Sequence, residues 1–143
     1  MKFMFPFSGT PVAVSNSVSN PPDRQLVGKA GEDLACRELQ RRGYAVLARR
    51  YRTRFGEIDI VCEDQKTVVF VEVRARQSRK YGEAIETISL RKRRKIGAMA
   101  LDYLAWTNRV DHRCRFDVVA IDGLGTTTET IRIVTDAFMA DGS

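Results

Sequence analysis

The sequence is poor in the residues that build histidine or cysteine metal sites. It holds a single histidine, His112, and three widely separated cysteines, Cys36, Cys62 and Cys114. One histidine excludes a multi-histidine zinc centre and weighs against histidine-based catalysis. The odd number of scattered cysteines provides no metal-ligand pair and is typical of reduced, buried thiols.

Long apolar runs are also missing. No stretch approaches the roughly 20 apolar residues that a membrane-spanning helix needs. The opening residues, Met1 to Phe7, make a poor signal peptide because the apolar stretch is short and Pro6 interrupts it. We therefore expect a cytoplasmic protein without membrane contact. Its 143 residues predict one domain at 23–138, a flexible N-terminal tail at 1–22 and a short C-terminal tail at 139–143.

Acidic residues are scarce in two stretches that are rich in basic ones. Seven arginines accompany one acid between Arg37 and Arg54, and nine basic residues accompany two acids between Arg74 and Lys95. The whole chain carries a net charge of +6. Clustered positive charge favours a polyanionic partner, nucleic acid first and DNA above all. An ordinary solvated basic surface is the alternative.

Hydrophobic periodicity predicts a small α/β domain with a mixed sheet and the element order αβββαββ. Asp23 is a plausible cap for the first helix, and Gly43 is a plausible stop. Glu32 flanks the apolar face of this helix, an unusual place for an acid without a role. That face comprises Leu26, Ala30, Leu34, Ala35 and Leu39. The predicted helices cover residues 24–43 and 89–108, and the predicted strands cover 44–51, 56–63, 67–76, 114–121 and 130–134.

Two carboxylates interrupt apolar, β-branched strands. Asp59 lies within Gly56 to Val61, and Glu72 lies within Val71 to Arg74. A carboxylate in such a strand is costly unless it binds something. If the two strands form a hairpin with an even-length loop, side-chain alternation places Asp59 and Glu72 on one face, together with Glu57 and Arg74.

Paired carboxylates on facing strands repel each other unless a cation lies between them. Mg²⁺ is commonly held by one or two carboxylates and keeps several waters, so the pair predicts a site for Mg²⁺ or Mn²⁺. A salt-bridged network, in which Arg74 balances Glu72 and a neighbouring acid, is the structural alternative.

Several short segments between Gly28 and Ile121 carry a resemblance to known proteins. They are Gly28 to Glu32, Gly56 to Asp59, Val71 to Arg74, Tyr81-Gly82, the basic start of the second helix with Lys92, and Arg115 to Val119. In this order they resemble the YraN-like family of uncharacterised bacterial proteins. That family is similar to the PD-(D/E)xK nuclease superfamily, which includes the Holliday-junction resolvases.

The resemblance implies a restriction-endonuclease-like αβββαβ core and a metal-dependent nuclease site. Asp59 and Glu72 match the metal-binding positions, and Glu32 matches a helix-borne acid that completes the site. Arg74 stands where the superfamily usually has lysine. Because arginine remains protonated, it can orient groups or stabilise charge but cannot act as a general base.

Three functions are therefore compatible with the sequence. The first is a Mg²⁺- or Mn²⁺-dependent endonuclease for branched or damaged DNA, for which a homodimer would suit the symmetry of a junction. In that case Lys92, Arg93, Arg94 and Lys95 would contact the DNA backbone. The second is a non-catalytic nucleic-acid-binding module, which Arg74 favours. The third is a protein-interaction factor whose basic surface meets an acidic partner.

Overall fold

Two helices and five strands form within residues 24–78 and 88–140, which are the residues that this computed structural model describes. Their order along the chain is the predicted one. The predicted tail at 1–22, the predicted cap Asp23, the Tyr81-Gly82 segment and residues 141–143 lie outside the described residues. The elements are α1 Arg24–Arg41, β1 Ala45–Thr53, β2 Gly56–Asp64, β3 Thr67–Ala75, α2 Leu90–Trp106, β4 Cys114–Asp122 and β5 Thr130–Val134.

The strands form one mixed sheet in the spatial order β1-β2-β3-β4-β5. Strands β3 and β4 are parallel, and the other neighbouring pairs are antiparallel. A parallel pair needs a long crossover connection, and the chain between β3 and β4 passes through α2. This arrangement confirms the predicted single α/β domain with a mixed central sheet flanked by helices. It is consistent with a restriction-endonuclease-like core.

Each face of the sheet has its own hydrophobic cluster and its own helix. Phe70 of β3 packs in the cluster that contains the buried residues of α2, whereas Val71 packs in the cluster that contains those of α1. Cys36 and Cys62 are buried as predicted, but Cys114 is exposed because β4 has not yet entered the core at its first residue. No helix in the described part of the chain has the length and apolar character to span a membrane.

Helix α1 approaches the sheet most closely at Gly31. A Cβ atom at this position would lie 2.8 Å from Cβ of Ala75 in β3, so only glycine fits without a shift. The predicted apolar face is wrong at its start, because Leu26 and Ala30 are exposed. Val27, one helical turn before Gly31 and on the same side of α1, packs against the sheet instead.

Gly31→Ala is expected to destabilise the protein by about 1–3 kcal/mol, because overpacking forces α1 away from β3. Gly28→Ala is the matched control, since a Cβ at Gly28 meets nothing within 4 Å. Alanine favours a helix over glycine, so the control should be neutral or stabilising by about 0.5–1 kcal/mol. Urea unfolding of both variants measures the difference, and equal stabilities would contradict the tight contact.

The β2–β3 hairpin has the even register predicted for a turn between Asp64 and Thr67. Glu63 pairs with Val68, and the ladder runs to the Ile60–Val71 pair. The two turn residues, Gln65 and Lys66, both have positive φ, at 48° and 73°. This backbone matches the right-handed twist of the strands that it joins. Continued by one residue, the register sets Asp59 against Glu72.

The regular alternation assumed for β2 fails around Asp59. Ile58 and Val61 both pack in the α2 cluster, whereas Ile60 packs in the α1 cluster. In a regular strand, residues three positions apart face opposite sides of the sheet, and residues two positions apart face the same side. In the neighbouring strand, Arg50 has a φ of +52°, a left-handed conformation that is uncommon for arginine. A local irregularity of this kind changes the direction of the side chains around it, and such irregularities are frequent beside functional sites.

Candidate metal and nucleic-acid site

Asp59 lies where β2 separates from β3. Its Oδ2 accepts a hydrogen bond from the backbone N–H of Val73 at 2.8 Å, in the place that a β2 carbonyl would otherwise take. Burial, and then the negative charge of Glu72, raise the pKa of Asp59 from its usual 3.8 to about 7, although the Val73 bond opposes the shift. The two acids are therefore close enough to repel, as the sequence predicted.

Glu72 extends from β3, and 13% of its side chain is exposed. Its Oε1 lies 3.3 Å from Nζ of Lys92 in α2 and 3.9 Å from Nε of Arg74. Only the lysine contact is short enough to be a hydrogen bond. Glu72 is therefore balanced mainly by a helix residue and not by the arginine that follows it on the strand.

Arg74 lies near Glu72 without a close bond to it. Its Nε is buried and has no hydrogen-bond partner among the residues that the structure describes. A buried donor without a partner is rare in folded proteins, which makes Arg74 a candidate for a contact with a ligand oxygen. The predicted salt-bridged network in which Arg74 neutralises Glu72 is thus only loosely formed at this residue.

Glu32 is buried in α1 at 8% exposure and is held by Arg50. Nε of Arg50 lies 2.9 Å and 3.2 Å from the two carboxylate oxygens of Glu32. The adjacent Arg49 reaches Asp33 at 2.6 Å, so two consecutive β1 residues contact α1. The left-handed backbone of Arg50 permits this departure from alternation. Glu32 still lies near enough for its charge to contribute to the raised pKa of Asp59.

The predicted DNA-contacting residues at the start of α2 differ in their surroundings. Lys92 binds Glu72, and Arg93 donates from Nε to the carbonyl oxygen of Ile88 at 3.0 Å. Arg94 and Lys95 are exposed. Two of the four cations are therefore placed for a surface contact with a polyanion, whereas Lys92 belongs to the carboxylate site.

Glu57 does not join this site. It is exposed and accepts a hydrogen bond from Nε of its cross-strand partner Arg52 at 2.8 Å. The prediction that Glu57 shares the face of Asp59 assumed unbroken alternation through β2, and the interruption at Asp59 removes that basis.

The model of the uncharacterised protein family UPF0102 matches residues 31–121. The chain belongs to this family. The match includes Glu32, Asp59, Glu72, Arg74 and Lys92, and it confirms the predicted YraN-like membership.

Relatives in the UPF0102 family cover most of the chain. A UPF0102 protein of Desulfosudis oleivorans is 44% identical over 117 residues, which are 82% of this chain and 95% of the relative. One from Ralstonia nicotianae is 47% identical over 108 residues, 73% of this chain and 83% of the relative. One from Geobacter sulfurreducens is 40% identical over 114 residues, 80% of this chain and 89% of the relative. Each of these matches thus covers more than two thirds of this chain.

Asp59 and Glu72 are the residues of this UPF0102 protein that could hold a metal ion. Within the described residues, no group of three or more histidine, cysteine or acidic side chains is placed to hold a metal. Asp59 and Glu72 supply two carboxylates, a number that suits Mg²⁺ with waters or phosphate oxygens in its remaining positions. The contact with Arg50 keeps Glu32 outside this pair.

Sequence reasoning missed the contact of Arg50 with Glu32 and the contact of Lys92 with Glu72. Nothing in the local sequence marks Arg50 for a left-handed backbone or for a contact with Glu32. For Lys92, the available signal is its place in the first turn of the helix that follows the Glu72 strand. Both contacts depend on how the helices pack on the sheet, which periodicity does not reveal.

Proposed function

We propose that this protein is a metal-dependent nuclease that acts on DNA, with branched recombination or repair intermediates as its substrates. The observation that carries the proposal is the placing of Asp59 and Glu72 on neighbouring strands by the hairpin register, near enough for the charge of Glu72 to add to the effect of burial in raising the pKa of Asp59. Such a pair is relieved by a divalent cation. Exposed Arg94 and Lys95 on α2 provide the adjacent positive surface for a phosphate backbone.

Each residue of the site would have a separate role. Asp59 and Glu72 would hold Mg²⁺ or Mn²⁺, and a bound ion would supply an activated water and neutralise charge on the phosphate. Arg74, whose buried Nε lacks a hydrogen-bond partner among the described residues, would donate to an oxygen of the scissile phosphate. Its guanidinium stays protonated, so it orients and stabilises without removing a proton. Glu32, fixed by Arg50, adds negative charge beside Asp59.

Cleavage of four-way-junction, flap and single-stranded DNA with Mg²⁺ or Mn²⁺ tests the proposal. Asp59→Ala should lower the rate by about 10²–10³-fold, the loss typical of removing one group that stabilises the transition state. Asp111→Ala is the matched control, because the Asp111 side chain is 86% exposed in the loop before β4. If the wild type cleaves none of these substrates, or if Asp59→Ala cleaves as fast as the control, the nuclease proposal is wrong.

A non-catalytic nucleic-acid-binding module is the second candidate. It is supported by the cations that already accompany the acids: Lys92 contacts Glu72, and Arg50 contacts Glu32. An acidic site balanced in this way has less need of a metal. This function would show as salt-sensitive DNA binding that requires no divalent ion and survives Asp59→Ala. A steep metal requirement for binding would contradict it.

A further inference from the structure

Among the described residues, Lys92 of the α2 cation run contacts an acid of the site. Its Nζ lies 3.3 Å from Oε1 of Glu72, and 45% of its side chain remains exposed. Lys95 lies one turn further along the helix and is exposed near the β1–β2 turn, where a Cβ at Gly56 would be 3.9 Å from its Cε. One lysine of α2, Lys92, thus contacts the carboxylate site, and a second, Lys95, lies away from it.

The backbone at Lys92 is fixed at the start of α2. Oγ of Ser89 caps the helix by accepting a hydrogen bond from the backbone N–H of Lys92 at 3.2 Å. The side chain above this anchor is a flexible four-carbon stem that ends in a compact ammonium. Lys92 can therefore move its charge over a short distance while its Cα stays in place. Arg74, within a strand and with a buried Nε, has less freedom.

We propose that Lys92 is a mobile cation of the active site. In the metal-free protein it neutralises Glu72, and when a divalent ion binds Glu72 the ammonium moves to a phosphate oxygen of the bound DNA. This inference rests on the proposed nuclease function. Because residue 74 is an arginine, no lysine contacts the reacting phosphate from that strand position. The inference assigns a lysine contact with this phosphate to Lys92 on α2. It also makes Lys92 a competitor of the metal for Glu72.

Competition predicts two opposite effects of Lys92→Gln. Mn²⁺ should bind about tenfold more tightly to the DNA-free variant, because a unit charge beside Glu72 has been removed. The kcat for DNA cleavage should nevertheless fall about 100-fold with little change in KM, because a group that contacts the reacting phosphate is lost. If Lys92 served only to stabilise the fold, its replacement by glutamine would not tighten the binding of Mn²⁺.

Lys95→Gln is the matched control for both measurements. It removes the same charge from the same helix, but away from the carboxylates, so Mn²⁺ affinity should stay within about twofold of wild type. Its expected effect is a higher KM with unchanged kcat, as for a contact that only positions the DNA. Calorimetric titration with Mn²⁺ and steady-state cleavage of a junction substrate measure all three proteins, and thermal unfolding confirms that each is folded.

The outcomes separate this inference from the function on which it rests. Failure of the wild type to cleave rejects the nuclease, but the Mn²⁺ titration still decides whether Lys92 competes at Glu72. Unchanged or weaker Mn²⁺ binding to Lys92→Gln overturns the inference, as does the absence of Mn²⁺ binding to both proteins. An effect of Lys92→Gln on KM alone, equal to that of Lys95→Gln, would place Lys92 among the ordinary backbone contacts and also overturn it.

Discussion

Asp59→Asn is expected to raise the free energy of unfolding at pH 8 by about 2 kcal/mol. The folded protein raises the pKa of Asp59 from 3.8 to about 7, so between these values the folded state binds more protons than the unfolded chain. Stability therefore falls as the pH rises through this window. A shift of this size corresponds to at most about 4 kcal/mol. Asparagine avoids the buried charge but forms a weaker bond with the N–H of Val73, which reduces the gain.

Urea unfolding of the wild type and Asp59→Asn between pH 4 and pH 8 measures this effect. The two proteins should have similar stability near pH 4, where the aspartate is protonated in the folded state, and the variant should gain steadily up to about pH 7. Adding Mn²⁺ at pH 8 should raise the melting temperature of the wild type but not that of the variant, because the ion binds the carboxylate pair. A difference in stability that does not change with pH would contradict the shifted ionisation of Asp59.

If Asp59→Asn proves more stable than the wild type, the fold does not require the charge of Asp59. Residues that bind or react are commonly placed where they strain the folded state. Asp59 shows this conflict, because the core around it would be easier to build with an uncharged side chain. The cost of the charge agrees with the sequence argument that a carboxylate in an apolar strand must bind something.

The fold could be predicted because its determinants are local. Apolar, β-branched segments between turns predicted the strands, and the bounds of β5, Thr130–Val134, agree with the prediction. The turn at Gln65 and Lys66 set the register that brings Asp59 to Glu72. A one-residue slip would have moved every side chain of the hairpin to the other face, so the hydrophobic pattern left few alternatives.

The site could be predicted only in part because its details depend on helix packing. The hairpin register, continued by one residue, sets Asp59 against Glu72, but the side chain of Asp59 also accepts a bond from the backbone N–H of Val73, which regular alternation does not predict. The left-handed Arg50 turns toward Glu32, a tertiary contact that overrides the strand period. Lys92 reaches Glu72 from a different element across a long connection. Periodicity describes one element at a time and does not contain such contacts.

Asp117→Ala is expected to destabilise the protein by about 3–5 kcal/mol, the usual cost of removing one partner from a buried ion pair. Asp117 is fully buried in β4, where it accepts hydrogen bonds from Nε of Arg115 at 3.0 Å and from the backbone N–H of Asp136 at 2.9 Å. Arg115 also reaches Asp64 at 3.1 Å and the hydroxyl of Tyr44 at 2.8 Å. This network, distinct from the Asp59 site, ties β4 to the β2–β3 hairpin and to the chain before β1.

The control variants separate the charge from the hydrogen bonds. Asp117→Asn can still accept from the backbone N–H of Asp136, so it should cost less than Asp117→Ala. The double variant Arg115→Ala/Asp117→Ala should cost less than the sum of the single variants by about 0.5–3 kcal/mol, because both single variants lose the same Arg115–Asp117 contact. Asp111→Ala, at an exposed position, should change stability by no more than about 0.5 kcal/mol. Urea unfolding measures these variants and Arg115→Ala, and strictly additive costs at Arg115 and Asp117 would show that the buried pair is not coupled.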